Sequence, residues 1–315
     1  MNTRKPIFPW VVFGYNILVI LWGAFVRATG SGAGCGAHWP TCNGEIIPRP
    51  EAVETVIEFV HRLTSGAALV LVVALVIWTR RRYARGSLIR WGAGLSLFFT
   101  VTEALLGAGL VLFGLVADND SAARAAVMAG HLVNTFMLLA FLGLTGWWVM
   151  FGEPRRLRWR GWRSLSVLLG ALGMVILGAS GAITALGDTL FPSSSLVEGF
   201  RADLSETAHF LIRLRVIHPV LAVVVSGFIL LVALAQFRGE RHGPTSKLVL
   251  AVRGLVIAQL FLGGLNVILL APVWMQIVHL LVADLIWAGV VILFGITLGE
   301  SAERASDNAV HDPVK

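Results

Sequence analysis

Apolar runs recur along the whole chain, and polar residues are concentrated in the short stretches between them. Each run is about 20 residues or longer, which lets a helix cross a hydrocarbon core about 30 Å thick. The alternating pattern of a membrane β-barrel is absent. Because a chain in lipid must satisfy its own backbone hydrogen bonds, the pattern predicts an all-α integral membrane protein. We place eight helices at roughly 8–28, 54–79, 88–114, 123–150, 162–186, 208–236, 248–270 and 274–298.

The first apolar run could be mistaken for a signal peptide, because the small residues Thr29-Gly30-Ser31-Gly32 follow it. The run extends from Ile7 to Val26, which is longer than the usual apolar core of a signal peptide. We therefore expect a retained first helix.

Composition agrees with a membrane protein, since only 14% of the residues are charged, against about 25% in soluble domains. The net charge of +7 does not point to nucleic acid, because the basic residues cluster in loops on one side of the predicted helices. We therefore predict a multi-pass protein of the cell (plasma) membrane with both termini cytoplasmic. The basic residues on that side include Arg4, Lys5, Arg80, Arg81, Arg82, Arg85, Arg90, Arg155, Arg156, Arg158, Arg160, Arg163, Arg238, Arg241, Lys247, Arg304 and Lys315.

The two halves of the chain resemble each other in an ordered set of motifs. His218 follows His61 by 157 residues, and the segment Gln259–Gly263 follows Glu103–Gly107 by 156. His279 follows His131 by 148 residues. An even number of spans in each half predicts two pseudo-symmetric four-helix bundles related by an axis along the membrane normal. We place their boundary between 1–151 and 152–315.

The four repeated histidines are the strongest candidates for cofactor ligands. His61, His131, His218 and His279 are predicted in the first turns of helices that enter from the outer face. Two imidazoles facing each other across a bundle can hold a haem iron from both sides. A single such histidine is more often an interfacial side chain, but four at repeated positions favour haem. The nearby Arg62, Arg213 and Arg215 suit haem propionates or simple interfacial anchoring.

Three carboxylates lie close to this region or deeper in the membrane. Glu58 precedes His61 by three residues and shares its helix face, where it could transfer protons or be an acid favoured by the helix dipole. Glu103 and Asp284 are intramembrane groups for which a functional and a structural role are equally plausible. His209 has no assigned role, and His242 and His311 are read as solvent residues.

Cys35 and Cys42 are the only two cysteines and flank a short loop on the outer side. The outer compartment permits disulfides, so a bridge between them is favoured over zinc binding with His38. The residues do not distinguish a structural bridge from a redox-active pair.

Together these stretches resemble the heme A synthase family (CtaA type) over nearly the whole chain. The motifs that carry the resemblance are Gly23–Gly32 leading to Cys35, Trp39–Gly44, Glu58–Arg62, Leu106–Gly107, His131, His218, Gln259, Leu262–Gly263, Asn266–Val267 and His279. That family oxidises a methyl group of haem O to the formyl group of haem A, the cofactor of cytochrome oxidases, by successive hydroxylations and loss of water from a gem-diol. Two positions depart from the family pattern: Pro219 stands where arginine is common, and Glu103 stands where glutamine is expected.

The resemblance implies a haem-dependent membrane oxidoreductase. It assigns His218 and His279 to a resident haem b, and His61 and His131 to the substrate haem O, with Glu58 catalytic. It also implies a Cys35–Cys42 disulfide. Haem O synthase is the expected source of substrate, whereas the electron donor is not identified and a homo-oligomer is compatible with the sequence.

Two other functions remain open at this stage. A dihaem b-type cytochrome that only passes electrons explains the four histidines but not Glu58 or the cysteine loop. A transporter with repeated halves explains the duplication and predicts no haem.

Overall fold

The computed structural model describes residues 6–49, 52–237 and 243–300, and within them the protein is an all-α bundle. Eight segments are long and apolar enough to cross a membrane. Large apolar side chains face outward from them, such as Leu18, Val70 and Phe261, which suits contact with lipid. The prediction of a multi-pass membrane protein with eight spanning helices is therefore confirmed. The main helices are α1 (Phe8–Ala28), α2 (Val53–Arg82), α3 (Leu88–Leu112), α4 (Ala122–Phe151), α5 (Trp162–Leu190), α6 (Leu196–Asp203), α7 (Phe210–Leu214), α8 (Ile217–Gln236), α9 (Pro244–Ile268) and α10 (Val273–Leu298).

Several helices extend beyond their apolar runs. α2 continues through Arg82, because arginines prolong a helix while their charged ends reach the membrane surface. α9 begins at Pro244 rather than near 248, since proline is well tolerated in the first turn of a helix. Apolar runs therefore mark the part of each helix inside the membrane rather than its true ends.

The sixth predicted helix, 208–236, is interrupted, so its prediction as one continuous helix was wrong. α7 ends at Leu214 and α8 begins at Ile217. Pro219 lacks the N–H group that would bond to the Arg215 carbonyl, and its ring crowds that carbonyl. The break therefore lies four residues before Pro219, directly in front of His218.

The loop before this break contains α6, which the apolar pattern did not predict. The Ser195 hydroxyl accepts a hydrogen bond from the Glu198 backbone N–H at 3.3 Å, and the Glu198 carboxylate accepts one from Ser194. This Ser-x-x-Glu arrangement is close to a capping box, which favours helix initiation in a polar segment.

Helix neighbours follow the same order in both halves. In the first, α1 contacts α2 and α4, and α3 contacts α2 and α4; in the second, α5 contacts α8 and α10, and α9 contacts α8 and α10. The halves meet through α1 and α4 against α5 and α10. The symmetry axis, and the boundary between 1–151 and 152–315, stay predictions.

An aromatic stack and a short strand pair are among the features that join the halves. The Phe136 and Trp287 rings stack with centroids 5.0 Å apart, and Trp287 Nε1 donates to the Phe136 carbonyl. Two short antiparallel strands, β1 (Arg156–Leu157) and β2 (Gly299–Glu300), connect the α4–α5 loop to the end of α10. Of the residues used for the topology and solvent predictions, Arg4, Lys5, Arg238, Arg241, His242, Arg304, His311 and Lys315 lie outside the described residues.

Candidate functional site

The two histidines of the second half face each other near the starts of α8 and α10. The centroids of the His218 and His279 rings are 6.4 Å apart, and the ring planes make an angle of 74°. A metal–imidazole bond of about 2.0 Å puts the ring centroids of two opposite ligands about 6 Å apart. The observed separation therefore suits two ligands of a single metal ion.

Hydrogen bonds bear on which ring nitrogen of His218 has a free lone pair for binding a metal. Ser180 Oγ donates its hydrogen to the Leu177 carbonyl at 2.8 Å and lies 3.0 Å from His218 Nδ1. When Nδ1 carries the ring hydrogen, Ser180 accepts it and the lone pair is on Nε2. The Nδ1 atom of His279 is buried without a hydrogen-bond partner among the described residues.

In the first half, the histidine with a side-chain partner is His131, which matches His279 rather than His218 in the predicted repeat. His131 Nδ1 lies 2.8 Å from Glu103 Oε1, and a carboxylate only accepts, so Nδ1 carries the hydrogen. His131 therefore also presents the lone pair of Nε2. His61 Nδ1, in contrast, is buried without a partner in the described part of the chain.

Each of the four imidazoles lies against a glycine on a neighbouring helix. A Cβ atom on Gly23 would come within 3.0 Å of the His61 ring, and one on Gly181 within 2.9 Å of the His218 ring. The corresponding distances are 3.8 Å from Gly107 to His131 and 3.3 Å from Gly263 to His279. Such close approach of backbone to ring is a usual reason for glycine inside a helix. These four contacts were not predicted, although the family motifs contained three of the glycines.

Glu58 is buried, with 3% of its surface exposed, and holds the outer loop against α2. Its Oε2 accepts a hydrogen bond from the Cys35 backbone N–H at 2.8 Å, and its Oε1 is bound by Arg62. Arg62 also donates to the carbonyls of His38 and Thr41, both at 2.6 Å. The interaction of Glu58 with Arg62 and the loop is a structural role that the spacing alone did not predict.

The loop itself is closed by a disulfide between Cys35 and Cys42, which confirms the expected pairing. The Cα atoms are 4.4 Å apart, within the range for disulfides. Both cysteines are buried. The zinc alternative with His38 is therefore wrong for this state of the protein.

Two of the three arginines proposed for propionates, Arg62 and Arg215, already have internal partners. Arg215 Nη1 lies 3.0 Å from Asp188 Oδ1, and its Nε lies 3.3 Å from Asp203 Oδ1. Burial raises the pKa of Asp203, and the Arg215 guanidinium offsets part of that rise. Arg27, which was not singled out for charge, reaches from α1 to the Ala185 carbonyl at 2.7 Å and to Gln276 Oε1 at 2.8 Å.

No hydrogen bond or ion pair among the described residues joins the remaining titratable candidates, Asp284 and His209, to the four repeated histidines. Asp284 in α10 is fully buried, and neither of its carboxylate oxygens has a hydrogen-bond partner among the described residues. His209 caps α7 and lies 3.5 Å from Asp120. No group of three or more His, Cys, Asp or Glu side chains in the described ranges is arranged to hold a metal ion. A haem iron needs only two such ligands, so that result does not bear on the histidine pairs.

The sequence pointed to Glu103 but did not predict its contact with His131. Glu103 stood out because Gln259 occupies the matching position in the second half. The contact itself depends on how α3 is rotated against α4, which the spacing does not give.

Comparison with known proteins shows which family model and which relatives this chain matches. Residues 6–291 match the COX15-CtaA family model, described as cytochrome oxidase assembly protein. The chain is 52% identical over 302 residues to a protein of Thermus thermophilus named protoheme IX farnesyltransferase, with 96% of this chain and 50% of that protein covered. The chain therefore spans half the length of this relative.

Shorter matches are to proteins named heme A synthase. One from Shouchella clausii is 47% identical over 98 residues, 31% of this chain and 33% of that protein. One from Halalkalibacterium halodurans is 44% identical over 114 residues, 36% and 38% of the two chains. Because the family model covers nearly the whole chain, the protein belongs to the COX15-CtaA family of cytochrome oxidase assembly proteins.

Proposed function

We propose that the protein is a heme A synthase, which oxidises a methyl group of haem O to a formyl group and so supplies haem A for cytochrome oxidase. The observation that carries the proposal is the pair formed by His218 and His279, whose ring centroids lie 6.4 Å apart. The membership of the COX15-CtaA family supports the same reaction.

His218 and His279 would hold a resident haem b, and His61 and His131 would hold the substrate haem. When bound, haem iron supplies the oxidising chemistry that an unreactive ring methyl group requires. The protein contributes positioning: Ser180 and Glu103 each bind the Nδ1 of one ligand, which directs its Nε2 to the metal. The glycines beside all four rings leave room for close approach.

Glu58 remains the proposed catalytic carboxylate. It lies one helical turn before His61, and it is held in place by Arg62 and the Cys35 N–H. A carboxylate fixed in this way has a defined position next to a bound substrate, where it can accept or return a proton. The protein would act in the plasma membrane with both termini cytoplasmic, receive haem O from a haem O synthase, and take electrons from a donor not yet identified.

Extraction of pigments after co-expression with a haem O source tests the reaction. We expect haem A to appear together with the protein and to be absent from the empty-vector control. Haem O left unchanged beside bound haem B would contradict the proposal and favour a dihaem cytochrome that passes electrons only. A purified protein without any Soret band would favour a transporter.

The name of the Thermus relative makes one further control useful. In a host that makes haem B but lacks a haem O synthase, we expect this chain alone to form neither haem O nor haem A. Formation of haem O in that host would instead assign prenyl transfer to the matched half of the relative.

A further inference from the structure

The carboxylate of Glu103 has an environment that exists only in the first half. Besides His131 Nδ1, it accepts hydrogen bonds from Asn134 Nδ2 and Thr135 Oγ1, both at 2.5 Å. Asn134 is fixed in turn, since its amide oxygen accepts from Thr102 Oγ1 at 2.6 Å. The imidazole is thus connected to an anchored carboxylate on α3.

No such network is present in the described residues of the second half. Gln259 occupies the position of Glu103, and its Nε2 donates to the His279 backbone carbonyl at 3.0 Å rather than binding the ring. Gln259 Oε1 and His279 Nδ1 are both buried without partners among the described residues. The positions that match Thr102, Asn134 and Thr135 are occupied by Ala258, Val282 and Ala283, which lack hydrogen-bonding side chains.

We propose that Glu103 is a positioning residue that makes His131 a more electron-rich ligand than any histidine of the second half, so that the first site stabilises ferric iron more strongly. A carboxylate that accepts the Nδ1 hydrogen raises the basicity of the other ring nitrogen. Hydrogen bonding behind an axial ligand is one of the protein's main means of tuning haem potential. This inference rests on the proposed function, because it assumes that His131 binds haem iron.

The contrast between neutral and charged partners determines the expected direction. Ser180 behind His218 is neutral, and the Gln259 amide is also neutral, whereas Glu103 carries a negative charge when ionised. A negative charge beside the ligand favours the ferric state, which has one more positive charge than the ferrous state. The haem held by His131 should therefore have the lower midpoint potential of the two.

Redox titration of the purified protein, loaded with haem b in both halves and followed by its absorption spectrum, tests this inference. Wild type should show two transitions. Glu103→Gln keeps the shape and an acceptor oxygen but removes the charge, so it should raise the lower transition and leave the upper one unchanged. The reciprocal variant Gln259→Glu should lower the upper transition and leave the lower one unchanged.

A smaller change provides a graded control. Thr135→Val removes one hydrogen bond to Glu103 without altering any charge, so its shift should be smaller than that of Glu103→Gln. Thermal melts of the same samples show whether any variant is merely unfolded; Gln259→Glu then still tests the inference in the other half. Equal shifts of both transitions by Glu103→Gln, or no shift of either, would overturn the inference.

Failure here can be separated from failure of the proposed function. Shifted potentials without any haem A formation would contradict the synthase proposal and retain the role of Glu103. Haem A formation with potentials unaffected by Glu103→Gln would support the synthase proposal and contradict the role of Glu103. A first half that binds no haem at all would overturn both.

Discussion

In the first half, the histidine with a side-chain partner is His131 in α4, and that partner is the carboxylate of Glu103. In the second half, it is His218, at the position predicted to match His61, and the partner is the hydroxyl of Ser180. The two halves therefore differ in which histidine of each predicted pair has a side-chain partner, and in the chemical nature of that partner. The difference teaches that the two proposed sites differ in the groups that bind the histidine rings, even where the histidines themselves match in sequence.

The outer surroundings differ in the same way. Glu58 and Arg62 bind the disulfide loop in front of His61, whereas Arg215 binds Asp188 and Asp203 in front of His218. In the first half, the outer loop is thus held by a carboxylate that lies one helical turn from His61. That arrangement suits a site that receives and releases a substrate haem, and the second suits one that retains its haem.

Removal of one ligand from each half should give the largest effects. His279→Ala should abolish the resident haem b, because one of its two axial ligands is lost, and haem A formation should cease with it. His131→Ala should abolish haem A formation but leave the resident haem b in place. Haem content and pigment composition of the purified variants provide the measurement. His209→Ala is the control and should match wild type; a loss of both haems in His131→Ala would contradict two separate sites.

The glycine contacts should give the next largest effects, and each effect should depend on how close the glycine lies to its histidine ring. Gly181→Ala places a Cβ atom 2.9 Å from the His218 ring, so the ring must move, and we expect most of the haem b to be lost. Gly107→Ala places its Cβ 3.8 Å from His131, an ordinary contact, and should keep its haem. Gly264→Ala meets no atom within 4 Å and serves as the control. Reduced-minus-oxidised spectra measure the effect; equal losses in Gly181→Ala and Gly264→Ala would show that the contact is not the cause.

Opening the outer loop should affect the first half alone. The paired change Cys35→Ser and Cys42→Ser removes a short cross-link, which costs the loop about 2–3 kcal/mol of local stability. The expected readout is faster hydrogen exchange at the backbone amide of position 35, which donates to Glu58 in the wild type. Haem b content should remain at the wild-type level, and its loss would contradict a disulfide effect confined to the first half.

Repairing the broken helix should have the smallest effect. Pro219→Ala restores an N–H group that can bond the Arg215 carbonyl, and a single hydrogen bond contributes about 1 kcal/mol. Loss of the rigid proline offsets part of that gain through the unfolded chain. We expect a protected amide at position 219 by hydrogen exchange and an unchanged haem b spectrum, since α2 carries His61 without a break. A lost spectrum would show that the break orients His218.

Much of the fold follows from the sequence because lipid leaves few choices for an apolar segment. The bounds of α1 were predicted correctly, whereas the repeat and the roles of its four histidines stay predictions. α6 was missed although Ser195 and Glu198 mark its start, since only apolar runs were used to find helices. The Asp188–Arg215–Asp203 cluster could not be predicted, because its members come from three segments that only the folded loop brings together.

The most direct test of two unequal sites is the pigment content of membranes that contain wild type, Glu58→Ala or His218→Ala, each co-expressed with a haem O source. We predict haem A and haem b in wild type, haem b without haem A in Glu58→Ala, and neither resident haem b nor haem A in His218→Ala. Continued haem A formation in Glu58→Ala would remove Glu58 from the catalytic site, and continued formation in His218→Ala would contradict the division of the two halves.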